Sequence, residues 1–222
     1  MIEPRYVMKN FSPLLIIVAC LILSGCGTIN NSLVEKSKSV EYYRIFDIKT
    51  EASRYIVADA ASNGLGKNVN DAQEARPIPT ESEPPTKPGR FKLEDPFKGS
   101  RLGVLASGAG NIGFKVATCD GAVWSAKAIR DIDGDSNLTL TACLFEYKGG
   151  YHLDLYAVFG KTEGGIMEIS RKMAHAMVGT PEQWVEKTFL DIVREIKKQT
   201  GAEITFVEGY PAPSGTPWLD TE

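Results

Sequence analysis

Residues 180–201 constrain the fold of this chain more than any other segment, because they carry every signal of a long amphipathic helix. Thr180 and Gln183 have the spacing of a capping box, and Pro181 stands at the first helical position. Lys197 and Lys198 in the last turn complement the helix dipole, and Gly201 is expected to end the helix. The apolar residues at helical spacing are Val185, Phe189, Ile192, Val193 and Ile196. Such a helix needs an apolar surface to cover.

The remaining periodicity predicts a sheet as that surface. Residues 137–147 and 151–159 read as two strands of a hairpin, and Lys148-Gly149-Gly150 between them supplies the positive φ of a tight turn. Residues 204–207 predict a final strand after the helix. We therefore expect an α+β fold, an antiparallel sheet with one long C-terminal helix packed across it.

The N-terminal part of the body has its own pattern. Residues 39–66 predict a strand, apolar on both faces over 41–48, and then a helix with Thr50 as its N-cap and Asn63-Gly64 as its stop. Residues 101–210 are expected to form the main α+β domain, beginning with short strands at 102–106 and 112–118. A further strand is expected at 166–177, and residues 211–222 form a tail.

Residues 67–100 differ in composition from their neighbours. Polar residues are interleaved there with six prolines: Pro77, Pro79, Pro84, Pro85, Pro88 and Pro96. Proline removes backbone donors, so this stretch is expected to be an extended linker or a mobile loop. The alternative is a long ordered crossover. Phe91, Leu93 and Phe97 could pin its end to the body.

Residues 121–132 fit two structures. Ala122, Ala126 and Ile129 lie on one helical face, whereas Trp124, Ala126 and Ala128 alternate with polar residues as in a strand. We favour the helix, because three alanines suit a helix better than a sheet.

The first 26 residues have the layout of an export signal. Arg5 and Lys9 precede ten apolar residues, 14–23, a run too short to span a bilayer. The run ends in Leu23-Ser24-Gly25-Cys26, a pattern that resembles the lipobox of bacterial lipoproteins. The resemblance implies that residues 1–25 are a signal peptide that is removed, and that the thiol of Cys26 is acylated and becomes the first mature residue.

The same resemblance implies a location. In Gram-negative lipoproteins an Asp after the lipidated Cys favours the inner membrane, and here that position is Gly27. We therefore expect the protein to be lipid-anchored to the outer membrane and to face the periplasm, with residues 26–38 as a membrane tether.

Two cysteines, Cys119 and Cys143, remain for the mature body once Cys20 leaves with the signal and Cys26 is lipidated. An oxidising compartment predicts a disulfide between them. A three-stranded meander over residues 112–147 would separate them by two strand spacings, about 9.6 Å. A disulfide needs Cα atoms within about 7 Å, so the meander predicts free thiols and a helix at 121–132 predicts the bond.

Two segments could bind metal ions, and neither is expected to. Asp131, Asp133 and Asp135 alternate as in a calcium loop, but Ser136 and Ala142 stand where an EF-hand needs Gly and Glu. We interpret residues 131–137 as a solvated turn. Met173, His175 and Met177 would share one face of a strand, a soft donor set suited to Cu(I). Methionines on a sheet face are more often core residues, so no metal site is predicted.

The net charge and the absence of catalytic motifs argue against two classes of function, nucleic-acid binding and catalysis. The formal net charge of −3 argues against nucleic acid as a partner. His152 and His175 are the only histidines, and the chain contains neither a nucleophile elbow nor a phosphate loop. We therefore expect no enzymatic activity and no cofactor.

The sequence predicts a lipid-anchored accessory or assembly protein of the cell envelope that acts through contacts with an envelope protein. Its contact surface would be one face of the sheet or the Pro-rich segment. The layout of tether, Pro-rich stretch and small body resembles accessory lipoproteins of outer-membrane assembly machines, such as BamC-like proteins. The alternatives are a periplasmic metal-binding protein that uses Met173, His175 and Met177, and an inhibitor or binder of a secreted hydrolase that uses the loop at 131–137.

Overall fold

The computed structural model describes residues 36–78, 83–95, 115–132, 136–163 and 179–213. The strands are β1 Lys36–Lys49, β2 Ala72–Ala75, β3 Lys92–Glu94, β4 Val116–Thr118, β5 Trp124–Ile132, β6 Ser136–Tyr147, β7 Gly150–Glu163 and β8 Glu203–Tyr210, and the helices are α1 Arg54–Gly66 and α2 Pro181–Thr200. The signal segment, the predicted strands at 102–106 and 166–177, and Met173, His175 and Met177 lie outside the described residues.

Six strands form one antiparallel sheet in the order β2-β5-β6-β7-β1-β8. Strands β3 and β4 form a separate two-stranded sheet. Helices α1 and α2 pack against each other and share one hydrophobic core with a single face of the six-stranded sheet. The predicted α+β class is confirmed.

Helix α2 has the predicted limits. The Thr180 side chain accepts a hydrogen bond from the backbone of Gln183 at 3.2 Å, and the Gln183 side chain accepts one from the backbone of Thr180 at 3.0 Å. Gly201 ends the helix in the left-handed region at φ 65°. All five predicted apolar positions are buried. The β6–β7 hairpin is also confirmed, with Gly150 at φ 133°.

Helix α1 begins later than predicted, and it continues past the expected stop at Asn63-Gly64 to Gly66. Its N-cap is Ser53, whereas Thr50 accepts a hydrogen bond from the backbone of Ala52 at 3.1 Å inside the preceding loop. The Tyr151 hydroxyl donates to the Ala52 carbonyl at 2.9 Å and holds that loop against the sheet. The expected N-cap was wrong because this tertiary contact keeps residues 50–53 out of the helix.

The expected helix at 121–132 was wrong as well, and the strand alternative is correct. Strand β5 pairs antiparallel with β6, and Trp124, Ala126 and Ala128 are buried against the helices. Pairing on both sides, with β6 and β2, outweighs the helix propensity of the alanines.

Strand β1 lies between β7 and β8. Its residues Phe46 and Ile48 are buried in the same core as Val57 and Leu65 of α1 and Ile192 of α2. Residues 39–66 therefore contribute an inner strand of the sheet, next to the edge strand β8, and one of the two helices described on its covered face.

Candidate functional site

The face of the six-stranded sheet that points away from the helices is called here the outer face. It carries aromatic and polar side chains, most of which are buried. The register places Tyr156 opposite Tyr43, Asp154 opposite Cys143, and His152 opposite Phe145. Most of these side chains are buried, although neither α1 nor α2 covers them. Another part of the chain must therefore lie on this face.

That part is residues 83–95, called here the strap. The backbone N–H of Phe91 donates to Asp154 Oδ2 at 3.0 Å, and the backbone N–H of Lys148 donates to the Pro85 carbonyl at 2.9 Å. A Cβ added at Gly89 would lie 2.5 Å from Cδ1 of Phe145, so only glycine allows this close approach. The end of the strap forms β3, which pairs with β4.

A row of aromatic rings crosses the outer face. Tyr210, Tyr43 and Tyr156 are register partners on β8, β1 and β7. The Phe91 ring lies on two of them, with its centroid 5.9 Å from Tyr43 and 5.6 Å from Tyr156. Tyr210 and Tyr43 are 6.5 Å apart, and Tyr210 is 58% exposed. The strap thus covers one end of the row and leaves the other in solvent.

Polar groups lie beneath the strap beside this row. His152 Nδ1 is 3.3 Å from Asp154 Oδ1, and neither atom has a hydrogen-bond partner among the described residues. The Tyr156 hydroxyl is also buried without such a partner. Burial, and then the Glu41 carboxylate, raise the pKa of Tyr156, so its hydroxyl keeps its proton as a donor.

The side-chain contacts described between the strap and the body are individually weak. Its ion pairs, Arg90 with Glu208, Lys92 with Asp120 and Glu83 with Lys148, are exposed and contribute at most about 1 kcal/mol each. The half-buried ring of Phe91 adds about 1 to 2 kcal/mol, and its bond to the Asp154 carboxylate about 2 kcal/mol. A segment held mainly by individually weak contacts of this kind can open while the rest of the fold stays closed.

A disulfide joins Cys119 and Cys143, with Cα atoms 5.4 Å apart, consistent with the pairing expected for an exported chain. The accompanying geometric argument was wrong, since the disulfide coexists with a strand at β5. Strand β4 pairs with β3 and not with β5, so no meander separates the two cysteines. The chain turns after Cys119, where the Ala122 N–H donates to its carbonyl at 3.0 Å, and lies directly on β6.

The described parts of the Pro-rich segment 67–100 contain more structure than its composition indicates. Strand β2 pairs with β5, and Glu74 accepts a hydrogen bond from the Trp124 indole at 2.9 Å. Phe91 contacts the body as expected, whereas Leu93 is 39% exposed and Phe97 lies outside the described residues. The mobility of this segment stays a prediction.

The other candidate residues fall in different places. Of residues 131–137, Asp131 lies in β5 and pairs with Asn137 of β6, and residues 133–135 lie outside the described ranges. Cys26, Met173, His175 and Met177 also lie outside them. Within the described ranges no three His, Cys, Asp or Glu side chains are grouped as metal ligands. None of the helices described there is long and apolar enough to cross a membrane.

Comparison with known proteins adds no family to this picture. The chain matches no protein-family model and no curated protein sequence. The outer face, with its strap, aromatic row and buried polar groups, is therefore interpreted from the chemistry of its own residues.

Proposed function

We propose that this chain is a non-enzymatic, lipid-anchored protein of the cell envelope that acts through contacts with another envelope protein. Cys26 in the lipobox-like sequence Leu23-Ser24-Gly25-Cys26 supports lipid anchoring, and Gly27 after it supports the outer membrane. The Cys119–Cys143 disulfide is typical of an oxidising compartment such as the periplasm. The proposed contact surface is the outer face together with its strap.

The observation that carries the contact proposal is the aromatic row. Single exposed apolar side chains are ordinary, but Tyr210, Tyr43, Phe91 and Tyr156 form one continuous ring surface that reaches solvent at Tyr210. Tyrosine is enriched in protein interfaces because its ring buries a large area while its hydroxyl can still form a hydrogen bond. Tyr210 also ends β8, the strand at one end of the sheet order, where a partner can approach.

Site-specific photo-crosslinking in intact cells tests this surface. A photoreactive phenylalanine analogue at Tyr210 is expected to give one discrete adduct with an envelope protein. The matched control is Tyr55, which is 67% exposed but lies on α1, in the helix layer on the other side of the sheet. No adduct from Tyr210, or the same adducts from both positions, would contradict the proposed contact surface.

The anchor is tested separately by Cys26→Ser. This variant is expected to accumulate as uncleaved precursor, because the lipobox resemblance implies that Cys26 is acylated before it becomes the first mature residue. Incorporation of labelled palmitate should be lost with it. Cys20→Ser is the matched control, since Cys20 lies inside the apolar run and should be processed normally. Normal maturation and soluble release of the Cys26→Ser variant would show that the anchor assignment is wrong.

A further inference from the structure

The strap binds the outer face in the way that an extended peptide binds a groove. Its main-chain N–H at Phe91 donates to a buried carboxylate, that of Asp154. Its aromatic ring lies on Tyr43 and Tyr156, and Gly89, two residues earlier, lets the backbone approach Phe145. In peptide recognition of this kind, main-chain hydrogen bonds give affinity and pockets for side chains give specificity.

The outer face offers more hydrogen-bonding capacity than the strap uses. Among the described residues the hydroxyl of Tyr156 has no hydrogen-bond partner, and Oδ1 of the buried Asp154 and Nδ1 of His152 have none beyond their 3.3 Å approach to each other. Buried polar groups normally find partners, because an unpaired one is costly. Within the described part of the chain the strap leaves these groups unused, so a ligand that bonds to them would have an advantage over it.

The charges beside the groove indicate which ligand would fit. The strap places Arg90 against Glu208 and Lys92 against Asp120, on either side of Phe91. An incoming segment with the same alternation of basic and aromatic residues would find both acidic partners in place. Prolines restrict the backbone of residues 84–88 before binding. The strap therefore loses little conformational entropy when it occupies the groove.

We infer that the outer face is a peptide-binding groove and that the strap is its internal ligand, which an extended, basic segment of a partner protein displaces. The displacing segment carries an aromatic residue two positions after a glycine and seats it on Tyr43 and Tyr156. This inference rests on the proposed function, and it specifies both the chemistry of the partner and the regulation of the contact surface.

A labelled synthetic peptide of residues 83–95 tests the inference by binding in trans. The mature lipoprotein in detergent is compared with its Phe91→Ala variant, whose strap loses its ring but whose groove is unchanged. Because the tethered strap competes at a high effective concentration, the variant should bind the peptide at least about tenfold more tightly than the unmodified protein. A peptide with Ala in place of Phe91 should bind neither protein.

Two further variants sharpen the result. Gly89→Val should also open the groove, because its side chain would collide with the Phe145 ring, and it should bind the peptide as Phe91→Ala does. Leu93→Ala, a change of an exposed apolar residue in the same strap, should bind it no better than the unmodified protein. Both variants alter only the strap, so the sheet and its core stay intact.

Equal binding of the peptide to the unmodified and opened proteins would overturn the inference, as would no binding to either opened variant. Those results would leave crosslinking from Tyr210 unaffected. Loss of the Tyr210 crosslink, with the peptide still bound by the opened variants, would instead count against the proposed function and leave the groove in place.

Discussion

Replacing Gly64 by alanine is expected to destabilise the protein by about 2 to 3 kcal/mol. Gly64 lies where α1 crosses α2, and a Cβ there would be 2.5 Å from Ile192 Cα and 2.7 Å from the Asp191 carbonyl oxygen. Both are backbone atoms, so no rotamer change can relieve the overlap. The two helices would have to separate, and the buried apolar groups between them would lose their close packing.

Gly66 provides a matched control in the same helix. A Cβ at Gly66 would meet no atom within 4 Å, so Gly66→Ala should be neutral or stabilising by up to about 1 kcal/mol through helix propensity. Urea unfolding followed by circular dichroism measures both variants. If Gly64→Ala proved as stable as Gly66→Ala, the helices could not cross as closely as the structure places them.

Removal of the disulfide is the second change with a large expected effect. Its cysteines are 24 positions apart, and cross-linking a loop of that length stabilises a fold by about 3 to 4 kcal/mol in the chain-entropy model. The Cys119→Ala, Cys143→Ala double variant should therefore unfold at a markedly lower urea concentration. The free energy of unfolding from that titration checks the size of the loss.

Reduction supplies the control for the disulfide. With a dithiol reductant present throughout, the unmodified protein should lose most of its stability advantage over the double variant. Thiol counting on the denatured mature protein should find Cys119 and Cys143 both oxidised. Two free thiols in the body would contradict the bond, and with it the close approach of the turn at Cys119 to β6.

The two elements predicted most completely were those whose signals lie within a few residues. The limits of α2 follow from Thr180, Gln183 and Gly201, which act on the backbone of their own helix. The hairpin follows from the turn before Gly150 and the alternation on each side of it. These features need no knowledge of the rest of the chain.

The elements that were predicted wrongly depend on contacts between distant residues. The alanines at 126 and 128 favour a helix locally, but pairing with β6 and β2 makes them part of a strand. The Thr50 hydroxyl could cap a helix, but the contact of Tyr151 with Ala52 moves the start to Ser53. In each case long-range pairing outweighs a local preference worth at most about 1 kcal/mol.

The candidate site could be predicted only in fragments for the same reason. Phe91 was expected to pin the Pro-rich segment to the body, and two cysteines were expected to pair, but their common location on the outer face was not foreseen. Asp154 and Tyr156 meet the strap only because β7 lies between β6 and β1 in the sheet. Strand order is set by the whole core, so no local pattern in the sequence contains it.

The sequence by itself therefore determined the α+β class, the amphipathic helix with its caps, the hairpin and the expectation of a lipid anchor at Cys26, because each is encoded by neighbouring residues. The tertiary structure alone decided the strand at β5, the place of β1 between β7 and β8, and the strap on the outer face. The physical reason is that burial and strand pairing are properties of residues far apart in the chain, whose partners exist only once the core has formed.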